Sequence, residues 1–66
     1  MKNKIKVARA EKRMTQQQLA DAAGVSRQTI NAIESGKFVP STVLALKMAQ
    51  IFCKPVEEIF QLDDED

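Results

Sequence analysis

Residues 15–36, TQQQLADAAGVSRQTINAIESG, decide the fold because they contain the start and stop signals of two short helices. Thr15 begins a capping box, in which its hydroxyl can accept from an early backbone N–H and the Gln18 side chain can reach back to the N-cap. Gly24 follows the last position of the first helix, where glycine adopts the left-handed conformation at least cost. The first helix is therefore predicted over residues 16–23.

The second helix begins after Ser26, a residue type favoured at the N-cap, and ends at Gly36. It is predicted over residues 27–35, with Ile30 and Ile33 on its buried face. Two short helices joined by a tight turn form a helix-turn-helix, in which the second helix can enter the major groove of DNA. This segment therefore predicts a nucleic-acid-binding element.

The exposed face of the second helix has four residues suited to reading base pairs: Arg27, Gln28, Asn31 and Ala32. Arginine can bridge guanine O6 and N7, glutamine can pair bidentately with adenine, and an alanine methyl can touch a thymine methyl. Arg27 and Gln28 lie at the helix N-terminus, the end that points at bases in this motif. An Arg-Gln-Thr stretch alone is most often a solvated helix face. The base-reading prediction therefore depends on its combination with the glycine turn and both N-caps.

A second set of polar residues lies near helix ends or in the following loop, where side chains contact phosphates and fix the register on DNA. Its members are Gln16, Gln17, Ser26, Thr29 and Lys37. The charge distribution also suits a polyanion, because residues 1–54 contain ten Lys or Arg and three acidic residues, a net charge of +7. Residues 55–66 contain six acidic residues and no base, and the alternative for this acidic end is an ordinary solubilising tail.

Three further helices are predicted around this motif, over residues 3–13, 42–52 and 55–60. Ser41 is the N-cap of the second of them. Pro55 suits the first position of the last one, where its missing N–H costs nothing. The fold is therefore predicted to be an all-α bundle of five helices.

The two chain ends add further expectations. The apolar residues 59–62 and the N-terminal residues 1–5 are expected to pair as short strands. Residues 63–66 form an acidic tail that is expected to be frayed. Because 66 residues allow only one domain, residues 1–62 are predicted to form a single helix-turn-helix domain that also contains a dimerisation surface.

The helix over residues 42–52 has more apolar residues than one buried face needs. Those with helical spacing are expected to face the core: Ala45, Met48, Ala49 and Phe52. The remaining apolar residues, together with one near the C-terminus, are predicted to form a dimer interface: Leu44, Leu46, Ile51 and Leu62. The alternative is looser core packing. A two-fold dimer would space two recognition helices by one turn of DNA, ~34 Å.

The sequence resembles the Xre family, which includes the lambdoid phage repressors and Cro proteins. The resemblance covers residues 5–60 and depends on the following residues: Arg9, Thr15, Gln16, Leu19, Ala20, Gly24, Val25, Ser26, Ile30, Ile33, Glu34, Gly36, Pro40, Ser41, Ala49, Ile59 and Phe60. It implies a five-helix fold of the lambda-repressor type and a homodimer on an operator with two-fold symmetry. Position 53 departs from the family, because a cysteine stands where glycine is common, and a different cap is expected there. Thr42 replaces a common apolar residue.

The resemblance also implies roles for individual residues. Base reading is implied for Arg27, Gln28 and Ala32, and phosphate anchoring for Gln16. A structural ion pair is implied between Arg9 and Glu34. The charges alone do not predict this pair.

These observations predict a sequence-specific, double-stranded DNA-binding regulator, a repressor that binds a palindromic operator as a homodimer in the cytoplasm. A repressor needs only to occupy its operator, and a chain of this size has no spare domain for contacting polymerase. The alternative is a protein-binding module, such as an antitoxin-like partner of a toxin, with DNA binding secondary.

An enzyme is not expected, because there is no histidine and no set of residues at catalytic or metal-ligand spacing. The single cysteine, Cys53, is interpreted as a small core residue in a reducing compartment. No cofactor, small-molecule ligand, metal or membrane partner is expected, since no apolar run approaches the ~20 residues of a membrane span.

Overall fold

Five α-helices and one two-stranded sheet make up the computed structural model, which describes residues 1–66. In chain order the elements are β1 (Lys2–Asn3), α1 (Ile5–Glu11), α2 (Gln16–Ala23), α3 (Arg27–Glu34), α4 (Thr42–Phe52), α5 (Val56–Ile59) and β2 (Phe60–Gln61). The all-α bundle predicted from the sequence is confirmed, and so is the pairing of the chain ends. None of the five helices has the length and apolar character that crossing a membrane requires.

The helix-turn-helix begins and ends where its local signals predict. Thr15 Oγ1 accepts from the backbone N–H of Gln18 at 3.0 Å, and Gln18 Oε1 accepts from the backbone N–H of Thr15 at 2.9 Å. Gly24 adopts φ +75° at the end of α2, and Ser26 Oγ accepts from the N–H of Thr29 at 3.1 Å to cap α3. Sequence-local hydrogen bonds therefore set both starts and the turn between α2 and α3.

The chain ends shorten α1 and α5 relative to the prediction. Lys2 and Asn3 pair antiparallel with Gln61 and Phe60, so these residues are extended and are not part of helices. Asn3 Oδ1 accepts from the N–H of Ile5 at 3.3 Å, where α1 begins. At the other end, Phe60 has extended dihedrals because it enters β2. Pro55 is the N-cap of α5 and not its first helical residue.

The core consists of thirteen buried residues, all of them hydrophobic: Ile5, Ala8, Leu19, Ala20, Ala23, Ile30, Ile33, Leu44, Met48, Ala49, Phe52, Ile59 and Phe60. Ile30 and Ile33, the predicted buried face of α3, are both in this set. Most of the predicted face of α4 is there as well.

One turn of α4 corrects the predicted orientation. Leu44 was expected on an exposed stripe, but it is buried at 8% exposure, whereas Ala45 is only partly buried. The buried residues Leu44, Met48 and Phe52 recur at intervals of four, so the helix is rotated toward Leu44 relative to the expected face. Leu44 therefore belongs to the core and cannot contribute an exposed side chain to an interface.

Cys53 is also corrected, because it is exposed and does not pack in the core. It forms the C-cap of α4 with φ +55° and ψ +42°, the left-handed conformation that glycine favours. The N–H of Lys54 donates to the carbonyl of Ala49 at 3.1 Å, which closes the end of the helix. The cysteine therefore adopts the backbone geometry expected of a glycine, and the expectation of a different cap is wrong.

The acidic tail contacts the N-terminus, although it was expected to be frayed. The Met1 amine lies 3.0 Å from Asp63 Oδ2 and 3.1 Å from Asp66 Oδ2, and the N–H of Asp63 donates to Asp66 Oδ2 at 2.7 Å. Hydrogen bonds to Asp63 and Asp66 raise the pKa of the Met1 amine. The backbone N–H of Asp63, followed by the amine, lowers the pKa of Asp66.

Candidate nucleic-acid interface

The exposed face of α3 consists of the residues that sequence analysis predicts to read bases. Arg27, Gln28 and Asn31 are exposed. Ala32, the fourth predicted residue, is partly buried. This orientation follows from the packing of Ile30 and Ile33, which have no exposed surface and fix the opposite face of the helix against the core. The helix therefore presents two amides and one guanidinium to solvent along one side.

The end of α3 is held by the carbonyl of Ala32. This oxygen accepts from the N–H of Lys37 at 2.9 Å, the N–H of Phe38 at 3.2 Å and the hydroxyl of Ser35 at 3.1 Å. Gly36 adopts φ +81°, which allows the chain to reverse at this point. Lys37 is consequently exposed and lies directly beyond the end of the helix.

The predicted ion pair joins α1 to the last residue of α3. Arg9 Nε donates to Glu34 Oε2 at 2.7 Å and Arg9 Nη2 donates to Glu34 Oε1 at 3.1 Å. The side chains are only 15% and 8% exposed. Arg9 Nη1 also donates to the carbonyl of Met14 at 2.8 Å, so the pair fixes the segment that leads into α2. The hydrogen bond to Glu34 raises the pKa of the Arg9 guanidinium.

Gln16 connects α2 with α3. Its Nε2 donates to Asn31 Oδ1 at 3.3 Å and to Glu34 Oε1 at 3.4 Å, and its Oε1 accepts from Arg27 Nη1 at 3.4 Å. The structure therefore brings a residue predicted to contact phosphate together with two residues predicted to read bases.

The other predicted phosphate-binding residues are placed differently. Gln17 is exposed and its Nε2 donates to Asp21 Oδ1 at 2.9 Å on the same helix face. The hydroxyls of Ser26 and Thr29 lie 3.0 Å apart at the start of α3, so each already has one partner in the turn. These side chains are at the surface of the helix-turn-helix, but part of their hydrogen-bonding capacity is used within the protein.

Asn3 is a structural residue that sequence analysis missed. Its Nδ2 donates to the carbonyl of Ile33 at 2.9 Å, which ties β1 to the last turn of α3. The two residues are 30 positions apart. An asparagine before a helix indicates at most a local cap. No sequence signal pointed to this distant carbonyl.

An exposed apolar surface is the second feature that sequence analysis missed in part. It spans the loop after α3 and the first turns of α4, and at least half of each of its side chains is exposed: Phe38, Val39, Val43 and Leu46. We call these four residues the α4 patch. An open groove of about 320 Å³ adjoins it, with Pro40, Ala45, Val56 and Phe60 among its walls.

The predicted interface residues divide into three groups. Leu46 belongs to the α4 patch and Leu62, near the C-terminus, is 75% exposed. Ile51 is partly buried against the core, and Leu44 is inside it. No group of three or more His, Cys, Asp or Glu side chains is placed to hold a metal ion.

The sequence is similar to that of known helix-turn-helix proteins. A sequence model of a helix-turn-helix family matches residues 5–59. An HTH-type transcriptional regulator of Methanocaldococcus jannaschii is 52% identical over 66 residues, covering 100% of both chains. The HTH-type transcriptional regulator YgzD of Bacillus subtilis is 46% identical with the same coverage. One from Archaeoglobus fulgidus is 46% identical, covering 100% of this chain and 93% of its own.

Proposed function

This chain belongs to the Xre-like helix-turn-helix family of transcriptional regulators, and on that premise we propose that it represses transcription as a homodimer on a palindromic operator. The family consists of DNA-binding regulators and not of enzymes. The observation that carries the proposal is the orientation of α3. Arg27, Gln28 and Asn31 are exposed, while Ile30 and Ile33 of the same helix are fully buried.

In the proposed complex α3 enters the major groove with its N-terminus toward the bases. Arg27 and Gln28 are in the first turn of the helix and have side chains long enough to bond base edges bidentately. Asn31, one turn later, offers a second amide. Ala32 is partly buried and offers only a methyl group, which suits contact with a thymine methyl.

Phosphate contacts are proposed to fix the register of the helix. Gln16 and Gln17 are in the first turn of α2, Ser26 and Thr29 are at the start of α3, and Lys37 follows its end. These residues therefore flank the proposed base-reading face at both ends. Because such contacts release counterions, affinity is expected to fall steeply as the salt concentration rises.

The α4 patch, which includes Leu46, is proposed to form the dimer interface, and Leu62 and Ile51 are proposed to contribute to it. Four exposed large apolar side chains close together on a chain of this size favour an interface over a solvated surface. A homodimer also doubles the number of base and phosphate contacts, which one 66-residue module provides only in small number.

Repression is proposed because occupancy of a promoter is enough to block it. The five helices form one small bundle, in which the α4 patch is proposed to bind a second copy and α3 to bind DNA. A site of action in the cytoplasm is part of the same proposal.

Binding selection from a random DNA duplex library at physiological salt tests the proposal. We expect two inverted half-sites with centres separated by about one helical turn or a multiple of it. Arg27→Ala should weaken binding by about 1–3 kcal/mol and remove the preference at one base position. Lys37→Ala should weaken binding to all sequences alike. Failure to enrich any sequence would contradict specific binding, and enrichment of single half-sites would contradict the dimer.

A protein-binding module is the second candidate, and the exposed α4 patch and its groove are the observation that favours it. A partner such as a toxin would then cover the apolar surface. Copurification of one partner in a fixed molar ratio, together with a monomeric chain in its absence, would favour this candidate over the homodimer.

A further inference from the structure

Gln16 lies between the buried ion pair and the residues proposed to read bases. Its amide nitrogen is 3.3 Å from Asn31 Oδ1 and 3.4 Å from Glu34 Oε1, and its amide oxygen is 3.4 Å from Arg27 Nη1. These distances exceed the ~2.9 Å typical of N–H···O bonds. Each bond is therefore weak, and the three together bias the orientation of the side chains without locking it.

The chemistry of the two neighbouring charged groups determines which way the Gln16 amide points. An ionised carboxylate such as that of Glu34 can only accept hydrogen bonds, and the guanidinium of Arg27 can only donate them. The amide nitrogen of Gln16 must therefore face Glu34, which leaves the amide oxygen for Arg27. The flipped amide would place oxygen against carboxylate and NH₂ against guanidinium, and both contacts would be unfavourable.

The carboxylate of Glu34 is held in one orientation by Arg9, so it can determine the orientation of the Gln16 amide. Both of its oxygens accept from Arg9, at 2.7 and 3.1 Å, and its side chain is only 8% exposed. A carboxylate held in this way cannot rotate to follow Gln16. The Gln16 amide must therefore orient to the carboxylate. As a result its oxygen faces Arg27 and its nitrogen faces Asn31.

We propose that Glu34 is a positioning residue for sequence specificity, acting through Gln16 on Arg27 and Asn31. This inference depends on the proposed DNA-binding function and adds a second task for Gln16 beside phosphate contact. By fixing the polarity of the amide, Glu34 presents the Gln16 amide oxygen to Arg27 and the amide nitrogen to Asn31. Glu34 touches no base in this arrangement and determines specificity only through its neighbours.

The test compares how well variants discriminate between two duplexes. One is the selected operator, and the other differs at the base pair whose preference Arg27→Ala removes. Glu34→Gln keeps the shape of the side chain but can both donate and accept, so the Gln16 amide is free to flip. We expect the ratio of the two dissociation constants to fall by a factor of about 2–10, the range of one net hydrogen bond.

Two further variants separate positioning from stability. Ser41→Ala removes the N-cap of α4, far from the network, and should lower the melting temperature without changing discrimination. Gln16→Ala should reduce discrimination as Glu34→Gln does, and the double variant should lose no more than either single one, because both changes act on the same contact. All binding is measured where circular dichroism shows each variant folded.

Equal discrimination by the wild type and Glu34→Gln overturns the inference. Additive losses in the double variant overturn it as well, because they would show independent effects. If Glu34→Gln does not fold, Gln16→Ala tests the step through which Glu34 is proposed to act, and unchanged discrimination in that variant overturns the inference. A uniform loss of affinity with unchanged discrimination then means that Gln16 only contacts phosphate. If the wild type itself binds the two duplexes equally well, the proposed DNA-binding function is contradicted. This outcome is distinct from failure of the inference about Glu34.

Discussion

At the scale of single residues, Cys53 and Glu34 are two of the positions that depart from the usual preferences of their side chains; Arg13, with φ +54°, is another. Cys53 adopts a left-handed backbone conformation, which costs a non-glycine residue about 1–2 kcal/mol. Glu34 places a carboxylate where it is only 8% exposed, and the bidentate contact with Arg9 compensates for the lost hydration. The surrounding structure stabilises both Cys53 and Glu34 in these environments. Substituting either one should change the stability of the fold.

Replacing Cys53 with glycine is expected to stabilise the protein. Glycine removes the left-handed penalty, and its greater freedom in the unfolded chain offsets part of the gain, which leaves about 1 kcal/mol. Thermal unfolding should then move up by roughly 4–8 °C for a domain of this size. Cys53→Ala retains a Cβ atom and should give no comparable gain. A lower melting temperature for Cys53→Gly would show that the thiol contributes more than its backbone costs.

Removing the carboxylate of Glu34 is expected to destabilise the fold strongly. Glu34→Ala leaves the mostly buried Arg9 guanidinium without its acidic partner, which should cost about 3 kcal/mol or more in the free energy of unfolding. Glu11→Ala is the matched control, because the Glu11–Lys54 pair is 55% and 36% exposed and should contribute less than about 1 kcal/mol. Urea unfolding measures both. Equal midpoints for the two variants would contradict a structural role for the Arg9–Glu34 pair.

At the scale of elements, helix boundaries set by local chemistry could be read from the sequence. Thr15, Ser26 and Ser41 cap α2, α3 and α4 as predicted, because a hydroxyl and an N–H three residues later are sufficient. The start of α1 and the end of α5 could not be read in the same way, and α1 also ends at Glu11, two residues before its predicted end. They depend on β1 and β2, whose residues pair across almost the whole chain, and neither helix has a side-chain cap of its own.

The capping box of α2 gives a prediction at this scale. Thr15→Ala removes the acceptor for the N–H of Gln18 and should destabilise the domain by about 1 kcal/mol. Thr15→Ser keeps the hydroxyl and should remain close to the wild type. The difference is read from the midpoints of chemical unfolding. A Thr15→Ala protein as stable as the serine variant would mean that packing alone determines the start of α2.

At the scale of the whole molecule, two exposed surfaces have different chemistry. The polar face of α3 and the apolar α4 patch are both connected to the buried set, yet only the first could be predicted residue by residue. The exposed face of α3 could be predicted because it depends on only one helix and its caps. The apolar surface depends on how α4 is rotated against four other helices, which is why Leu44 was misplaced.

A charge in the α4 patch is expected to separate the proposed dimer. Leu46→Glu puts a carboxylate where two apolar surfaces would meet, so it should sediment as a monomer and bind the palindrome more weakly. Val7→Glu adds the same charge at an exposed apolar position on α1 and should leave the dimer intact. Sedimentation equilibrium distinguishes the two. An unchanged assembly for Leu46→Glu would exclude the α4 patch as the interface.

The bond from Asn3 to the carbonyl of Ile33 has a consequence for how the chain opens. N-terminal segments commonly detach first, with little free energy. Here detachment of β1 would also break its bond to the last turn of α3, together with the 2.7 Å bond from the N–H of Lys4 to the carbonyl of Ile59. Local fraying at this end is thereby coupled to α3, the helix proposed to read bases. The amide of Lys4 should exchange with deuterium as slowly as amides in the centre of the bundle.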